Sequence, residues 1–133
     1  MSLQSTDQIA DLITRIRNAI MVGKNEILVP TSKLKVQVAD VLAKNGYLVS
    51  YDVVEGKPRG MLHVVIAGEG ENAKINEITK VSKPGRRVYA GVEELPTVKS
   101  GRGTLIISTS KGLMTTREAR KNRLGGEILI RVW

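Results

Sequence analysis

Apolar residues recur at helical spacing at the start of the chain, directly after Ser5-x-x-Gln8, which has the form of a helix-capping box. Arg15 and Asn18 fall on the opposite side of this stripe, and Gly23 follows it. The pattern predicts an amphipathic first helix with one buried face. The stripe consists of Ile9, Leu12, Ile13, Ile16 and Ile20.

Shorter patterns follow this helix. Residues 26–29 predict a strand that Pro30 closes, because proline cannot donate to a sheet ladder. Thr31 or Ser32 can then cap a second helix, which has an apolar stripe of its own and stops at Asn45-Gly46. The first part of the chain is therefore expected to mix helix and strand.

Two β-rich runs, residues 47–54 and 61–67, are joined by the turn-like sequence EGKPRG and predict an antiparallel hairpin. The glycine-rich segment GEGEN (68–72) follows and is the best linker candidate. The sequence therefore predicts an N-terminal domain over residues 1–68, ordered helix, strand, helix, strand, strand, and a C-terminal domain over residues 69–133.

The second half of the chain has mostly β character. Strand-like residues 75–82 and 87–90 flank Lys83-Pro84-Gly85-Arg86, a turn with proline and glycine at the positions that need them. Residues 94–96 indicate a short helical turn, and residues 104–109 predict a strand.

Thr115-x-x-Glu118 is another capping box and predicts a short helix that ends near Gly125-Gly126, with Gly125 in the left-handed conformation. Residues 127–133 predict the final strand. The fold class is therefore α+β, with two small domains. The C-terminal domain is expected to be a mainly antiparallel β unit with one short helix.

Charge is divided unevenly along the chain. Residues 1–79 hold nine Lys or Arg and nine Asp or Glu, whereas residues 80–133 hold twelve and four, so the whole net charge of +8 lies in the second stretch. Such asymmetry indicates a polyanionic partner that docks on one part of the molecule. A basic surface that serves solubility alone is the alternative.

Composition argues against several other classes of protein. Cysteine is absent, which rules out a disulfide framework and thiolate metal sites and fits a reducing cytosol. No apolar run approaches the roughly 20 residues that span a bilayer, and the first residues lack the layout of a secretory signal. No phosphate-binding loop or zinc motif occurs. We therefore expect no membrane partner, no metal and no cofactor.

Ser108-Thr109-Ser110-Lys111 matches S-x-x-K, the nucleophile motif of penicillin-binding proteins and serine β-lactamases. The companion motifs of those enzymes, S-D-N and K-T-G, do not occur in the chain. Its one histidine, His63, lies inside a predicted strand, where a structural or surface role is the better interpretation. A catalytic centre of Ser108 or Ser110 with Lys111 is therefore the weaker hypothesis, and no small-molecule substrate is expected.

The same four residues suit a nucleic-acid contact better. Hydroxyls at a strand end can bond to phosphate, ribose and base edges, and Lys111 adds a charge that releases counterions from the phosphate backbone. Small side chains also allow the close approach that the shallow minor groove of RNA requires. A polar turn whose hydroxyls satisfy their own backbone is the alternative.

Two further stretches extend the basic region. The turn at residues 83–86 brings Lys83, Arg86 and Arg87 beside Tyr89. Tyr89 can stack on an unpaired base or pack between hairpin strands. The second stretch is the short basic helix, which is expected to meet phosphate. Its cationic residues are Arg117, Arg120, Lys121 and Arg123.

Gly125-Gly126-Glu127 follows the basic helix. The second glycine predicts close approach by another backbone, of protein or of RNA. Glu127 is an acidic residue in a basic region, so we expect it to accept hydrogen bonds from a base or to orient a neighbouring cation.

Seven segments together resemble bacterial small-subunit ribosomal protein eight, in the order and spacing of that family. The likeness covers essentially the whole chain. The segments are IADLITRIRNA (9–19), PTSKLK (30–35), VSKPGRRVY (81–89), ELP (94–96), STSKGLMT (108–115), REAR (117–120) and GGEI (125–128).

The resemblance implies a two-domain protein that binds a helical region in the central domain of small-subunit ribosomal RNA, as a primary binder during assembly. It also implies neighbouring small-subunit ribosomal proteins as partners and a cytoplasmic location within the small subunit. In some bacteria the family represses its own operon by binding a mimic site in mRNA. A general nucleoid or messenger-RNA regulator is the competing class of binding protein.

By position, the resemblance places the main RNA contact in the C-terminal domain and adds contacts from the N-terminal domain. Its C-terminal matches are Tyr89, Ser108, Thr109, Ser110, Lys111, Gly112, Gly125, Gly126 and Glu127, beside the cations Lys83, Arg86 and Arg87. Its N-terminal matches are Arg15, Asn18, Thr31, Ser32 and Lys33. The chain departs from the family pattern at Gln8, usually proline, and at Arg102, usually apolar.

Overall fold

A computed structural model describes residues 2–56, 60–98 and 101–133, with side chains from residue 8 onward. The chain divides into two compact units, Met1–Ile75 and Asn76–Trp133. This division falls after Ile75, whereas the sequence placed the boundary after Gly68. The assignment of residues 1–68 and 69–133 as domains stays a prediction.

Helix α1 (Ser2–Met21) opens the first unit. It begins upstream of Ser5, so the predicted capping box does not start it, and the Ser5 side chain lies outside the described part of the chain. Four of the five stripe residues are buried as expected, with Leu12 and Ile16 fully enclosed, and Ile20 is partly exposed. After the helix, Gly23 has a φ of 74°, the left-handed conformation that ends helices.

Helix α2 (Lys33–Lys44) begins at a serine cap, one of the two predicted. The Ser32 hydroxyl accepts a hydrogen bond from the Lys35 N–H at 3.3 Å. Lys35 itself is buried, and its ammonium group donates to Asp11 and to the Pro30 carbonyl, both at 3.1 Å. These two bonds tie α2 to α1 and to the strand that precedes it.

A three-stranded antiparallel sheet completes the first unit. Its strands β1 (Glu26–Pro30), β2 (Ser50–Val54) and β3 (Met61–Val65) lie in the order β1-β3-β2. The β2–β3 hairpin is therefore confirmed, although β2 begins at Ser50 and not at residue 47. Residues 57–59 of its predicted turn lie outside the described residues. Helix α1 contacts β1, and helix α2 contacts β2 and β3.

The second unit is built on an antiparallel sheet with a central strand near the C-terminus. Its strands are β4 (Ile78–Lys80), β5 (Tyr89–Ala90), β6 (Thr104–Thr109), β7 (Gly112–Thr115) and β8 (Gly126–Val132). They lie in the order β4-β8-β6-β7, and β5 also pairs with β8. The α+β class predicted from the sequence is thus confirmed.

Strands β4 and β5 pair with β8 and not with each other. Between them, the Val81 N–H donates to Leu129, and the Val88 carbonyl accepts from Ile128, each at 2.8 Å. The two pieces therefore run along one edge of β8, and the residues between them leave the sheet as an excursion. This corrects the longer strands expected at residues 75–82 and 87–90.

The short helix α3 (Thr116–Lys121) is capped as predicted, since the Thr115 hydroxyl accepts from the Glu118 N–H at 3.4 Å. It ends earlier than expected. Arg123 takes the left-handed conformation with a φ of 55°, and the Leu124 N–H donates to the Ala119 carbonyl at 2.8 Å. The predicted left-handed cap at Gly125 is therefore wrong.

One face of the second sheet carries the core of this unit. Helix α3 and the 3-10 turn Val92–Glu94 lie on that side. A short helical turn was expected at residues 94–96; the observed turn lies two residues earlier, and Leu95 is extended. The buried cluster consists of Leu95, Val98, Leu105, Ile107, Met114, Ala119 and Ile128.

Candidate nucleic-acid interface

Three predicted site residues lie in one row across the second sheet. Glu127 on β8 is directly opposite Tyr89 on β5 and directly opposite Ser108 on β6. Side chains opposite each other in antiparallel strands share a face and have Cβ atoms about 5 Å apart. The row therefore joins two regions that lie far apart in the sequence.

Residues 108–112 form the hydroxyl turn between β6 and β7. The Thr109 hydroxyl donates to the Gly112 carbonyl at 2.8 Å and accepts from the Lys111 N–H at 3.1 Å. Gly112 has a φ of 108°, which favours glycine at that position. Thr109 therefore matches the alternative considered from the sequence, in which the hydroxyl bonds to the backbone of its own turn.

The two serines of the hydroxyl turn differ from Thr109. Within the described residues, the side-chain hydroxyls of Ser108 and Ser110 have no hydrogen-bond partner, and Ser110 is exposed together with Lys111. A hydroxyl without an internal partner can donate to and accept from a ligand. Ser108 and Ser110 are therefore the better candidates for an outside contact.

The excursion from the edge of β8, residues 82–88, is the basic hairpin. Its base is held by the buried Ser82, whose hydroxyl accepts from the Val88 N–H at 3.0 Å and donates to the Val88 carbonyl at 3.4 Å. Its tip closes through two backbone bonds between Lys83 and Arg86, and Gly85 has a φ of 78°. A rigid backbone therefore presents exposed cations to solvent.

Arg87 connects the basic hairpin to the row. Its guanidinium donates to the Glu127 carboxylate at 3.1 Å, where the Glu127 side chain is 16% exposed. Of the two roles expected for Glu127, orienting a neighbouring cation is the one that the geometry supports. Tyr89 beside it is 70% exposed and therefore does not pack between hairpin strands.

Gly125 and Gly126 allow the backbone of this chain to approach itself. A Cβ at Gly126 would overlap the carbonyl oxygen of Ser108, and one at Gly125 would lie 2.5 Å from that of Ala90. The close approach predicted for the second glycine is thus made to protein. A contact with RNA is therefore not required to explain the glycine at either position.

The basic helix occupies a different side of the sheet. Ala119 of α3 packs in the cluster with Ile107, and Ile107 precedes Ser108 on β6, so their side chains point to opposite faces. The Arg120 guanidinium donates to the Leu95 carbonyl at 2.6 Å and so ties α3 to the loop between the 3-10 turn and β6. Arg120 was expected to meet phosphate, but its observed partners are carbonyl groups of this unit.

In the first unit, two implied RNA contacts lie on one open groove. Arg15 and Asn18 line a groove of about 390 Å³ between α1 and β1, together with Lys24 and Leu28. Arg15 also donates to Asp11 at 3.0 Å. Burial alone would raise the pKa of Asp11, but the hydrogen bonds from Arg15 and Lys35 outweigh it and lower the pKa.

The other implied contacts lie at the start of α2. Lys33 is exposed, and the Ser32 hydroxyl is used to cap the helix. The Thr31 hydroxyl is buried and has no hydrogen-bond partner among the described residues. Of these three side chains, Lys33 is the one presented to solvent.

Comparison with known proteins identifies the family of this chain. A family model described as Ribosomal protein S8 matches residues 7–133. The chain belongs to the ribosomal protein S8 family. Three relatives, each named small ribosomal subunit protein uS8, show the extent of the likeness.

The protein from Teredinibacter turnerae is 47% identical over 133 residues, which cover 100% of both chains. That from Geobacter sulfurreducens is 46% identical over 132 residues, covering 98% of this chain and 100% of the relative. That from Kosmotoga olearia is 44% identical over 132 residues, covering 96% and 98%.

Membership of the ribosomal protein S8 family implies a structural role in the ribosome and weighs against the serine–lysine enzyme hypothesis. Among the described residues, no group of three or more acidic or histidine side chains could hold a metal ion. No helix in the same part of the chain combines the length and apolar character needed to cross a membrane.

Proposed function

We propose that the chain binds a helical region in the central domain of small-subunit ribosomal RNA, as a primary binder during assembly of the small subunit. Family membership supports the ribosomal assignment. The observation that carries the RNA contact is the row of Tyr89, Glu127 and Ser108, which joins the basic hairpin to the hydroxyl turn.

Binding begins with electrostatic capture. The net charge of +8 lies in residues 80–133, and each phosphate that a lysine or arginine neutralises releases counterions into solution. Lys83, Arg86 and Lys111 are exposed and supply charge on both sides of the row. This step selects polyanions and does not distinguish their sequences.

Recognition follows through short-range contacts. Ser108 and Ser110 offer hydroxyls that can bond to ribose 2′-OH groups and base edges in the shallow minor groove of RNA. Tyr89 presents an exposed ring on which an unpaired base can stack, with Arg87 fixed beside it by Glu127. A distorted RNA helix with an accessible base would satisfy both kinds of contact.

The first unit adds a smaller contribution in this proposal. Arg15, Asn18 and Lys33 are exposed on α1 and α2, and they match the positions through which the family is expected to reach RNA. The Ser32 hydroxyl caps α2 and the Thr31 hydroxyl is buried, so neither is free to add to this contact. Neighbouring small-subunit proteins are further partners, the complex is cytoplasmic, and the same RNA site serves any repression of the chain's own operon mRNA.

Chemical footprinting of small-subunit ribosomal RNA tests this function. With the protein present, we expect protection of one helical region in the central domain, lost as salt is raised. Protection spread evenly over the RNA, or equal affinity for an unrelated DNA duplex, would favour a general nucleic-acid regulator. Labelling of Ser108 or Ser110 by a fluorophosphonate probe would revive the enzyme hypothesis.

A further inference from the structure

Lys35 on α2 carries a charge into the interior of the first unit. Its side chain is 7% exposed, and lysine is almost never buried unless its ammonium group is paired. This group donates to Oδ2 of Asp11 and to the Pro30 carbonyl, both at 3.1 Å. Because a buried charge is unfavourable without a partner, Lys35 holds the Asp11 carboxylate in place.

Asp11 divides its carboxylate between Lys35 and Arg15. Its second oxygen, Oδ1, accepts from Nε of Arg15 at 3.0 Å, one turn further along α1. The Asp11 and Arg15 side chains are 40% and 47% exposed, so this ion pair alone would contribute little to stability. Its connection to a buried lysine distinguishes it from an ordinary surface pair, because one end of it is anchored in the interior.

The bond to Asp11 leaves the outer part of the Arg15 guanidinium for a ligand. Nε carries one of the five N–H groups of a guanidinium, and Nη1 and Nη2 carry the other four. Within the described residues, Nη1 and Nη2 of Arg15 have no hydrogen-bond or ion-pair partner. Such N–H groups can donate in parallel to two oxygens of one phosphate.

The groove between α1 and β1 brings Arg15 together with Asn18 and the exposed Lys24. Glu26 lines the same groove, but its carboxylate is 3.3 Å from Nε2 of His63. Fixing a long, flexible side chain on binding opposes association. Arg15 is fixed before any ligand arrives, so it avoids much of this loss.

We propose that Asp11 is a positioning residue for the RNA contact of Arg15, with Lys35 as its anchor. Asp11 itself does not touch RNA. It orients the guanidinium through Nε, so that Nη1 and Nη2 are presented to a phosphate in the groove. The identity of the ligand as ribosomal RNA rests on the proposed function, whereas the contacts that join Lys35, Asp11 and Arg15 rest on the geometry.

Asparagine at position 11 separates the two contacts. A carboxylate has two acceptor oxygens and an amide has one, and the buried Lys35 needs that oxygen more than the exposed Arg15 does. We therefore expect Asp11→Asn to keep Lys35 paired and to release Arg15. Affinity for the central-domain RNA, measured by filter binding, should fall about fivefold, the effect of ordering one long side chain on binding. If Asp11 acted through its charge alone, affinity would rise, because a carboxylate repels phosphate.

Asp40→Asn is the matched control. Asp40 also divides its carboxylate, since Oδ1 accepts from the Tyr51 hydroxyl at 2.8 Å and Oδ2 lies 3.0 Å from the ammonium group of Lys44, an i,i+4 partner. The substitution makes the same chemical change within the same unit, and Asp40 is not among the residues that line the groove. Its RNA affinity should not fall. An equal fall in the two variants would overturn the positioning role.

A second background separates positioning from support of the fold. In Arg15→Ala there is no guanidinium to orient, so the addition of Asp11→Asn should cause no further fall in affinity. A similar fall in the presence and in the absence of Arg15 would mean that Asp11 acts on the fold or on another contact, and would overturn the positioning role.

Proton–nitrogen NMR of the unchanged chain tests the geometry without RNA. The Nε–H of Arg15 should exchange slowly with water, because its hydrogen bond to Asp11 protects it, and this protection should be lost in Asp11→Asn. Rapid exchange in the unchanged chain would overturn the positioning role even where the variant failed to fold.

The positioning role and the proposed function fail in different ways. An unchanged chain that does not bind the central-domain RNA would overturn the proposed function, while the NMR signal would still report whether Asp11 holds Arg15. A chain that binds this RNA, with equal or higher affinity in Asp11→Asn, would overturn the positioning role alone.

Discussion

Thr109 and Ser110 are adjacent hydroxyl residues with different partners. Thr109 bonds to Gly112 and Lys111 within its own turn, whereas the Ser110 hydroxyl is exposed without a partner among the described residues. We predict that Ser110→Ala weakens binding to ribosomal RNA by about 1–2 kcal/mol, the scale of a hydrogen bond whose loss leaves a partner unsatisfied. Filter binding measures the affinity, and urea unfolding should show unchanged stability.

Thr109→Ala is the matched control for Ser110→Ala, since it removes a hydroxyl from the next residue. It should lower the free energy of unfolding by about 1 kcal/mol, because two turn hydrogen bonds are lost. If Ser110→Ala destabilises the fold and leaves RNA affinity unchanged, the hydroxyl turn is not the contact that reads the RNA.

His63 lies between two carboxylates on the sheet of the first unit. Its Nδ1 is 3.1 Å from Asp52 and its Nε2 is 3.3 Å from Glu26. Hydrogen bonds to Asp52, and then to Glu26, raise the pKa of His63 above its ordinary value of 6.5. Since folding raises this pKa, the stabilisation is complete below pH 6.5 and is lost as the pH rises through the folded value.

We therefore predict that His63→Gln removes a component of stability that is present near pH 6 and absent near pH 8.5, worth about 1 kcal/mol or less for so accessible a pair. The difference in urea midpoint between the two proteins should shrink as the pH rises. Because the chain has one histidine, its proton NMR titration gives the pKa directly. A value below 6.5 would contradict the assignment.

Among the elements, three local signals in the sequence were confirmed, although the capping box at Ser5 and the left-handed cap at Gly125 were not. The apolar stripe of α1, the serine cap of α2 and the threonine cap of α3 all depend on residues within four positions of each other. The strands around the basic hairpin were wrong in extent because their partner, β8, lies roughly 35 to 55 residues further along the chain. Such pairing leaves little local trace in a short strand.

The same limit applies to the candidate site. The sequence identified its residues as a hydroxyl loop, a basic turn and an acidic residue, but not the row that brings them together. Arg87 and Glu127 are forty positions apart and meet only through sheet register. β7 was missed because residues 112–115 are too short for a periodic pattern.

The glycine at the start of β8 lets the backbones of β8 and β6 approach each other closely. A methyl group at Gly126 would collide with the backbone of Ser108, which has no flexible side chain to move aside. We predict that Gly126→Ala lowers the free energy of unfolding by about 1–3 kcal/mol, the cost of overpacking. Thermal or urea unfolding of the purified variant measures this directly.

Gly91→Ala provides the control for that prediction. Gly91 has a φ of −76°, which alanine accepts, and its added Cβ would meet only the flexible Glu94 side chain, at 3.0 Å. Its stability should change by no more than about 0.5 kcal/mol. Equal losses in the two variants would mean that strand spacing at Gly126 is not the reason for its glycine.

At the scale of the whole molecule, charge divides the chain into two stretches. The hydroxyl turn and the basic hairpin present cations within residues 80–133, which hold the entire net charge. Residues 1–79 instead hold equal numbers of cationic and acidic residues, nine of each. Phosphate is therefore attracted to the second stretch more strongly than to the first.

This uneven charge predicts that the salt dependence of RNA affinity changes with the position of the lysine that is removed. The number of lysines in the chain alone should not set it. Lys111→Ala should reduce the slope of log affinity against log salt by about one unit, because one phosphate contact is lost. Lys74→Ala removes the same charge from an exposed position in the first unit and should leave the slope unchanged. Filter binding to the central-domain RNA helix at several salt concentrations gives both slopes. Equal reductions would show that the chain attracts RNA through its overall charge and not through the hydroxyl turn.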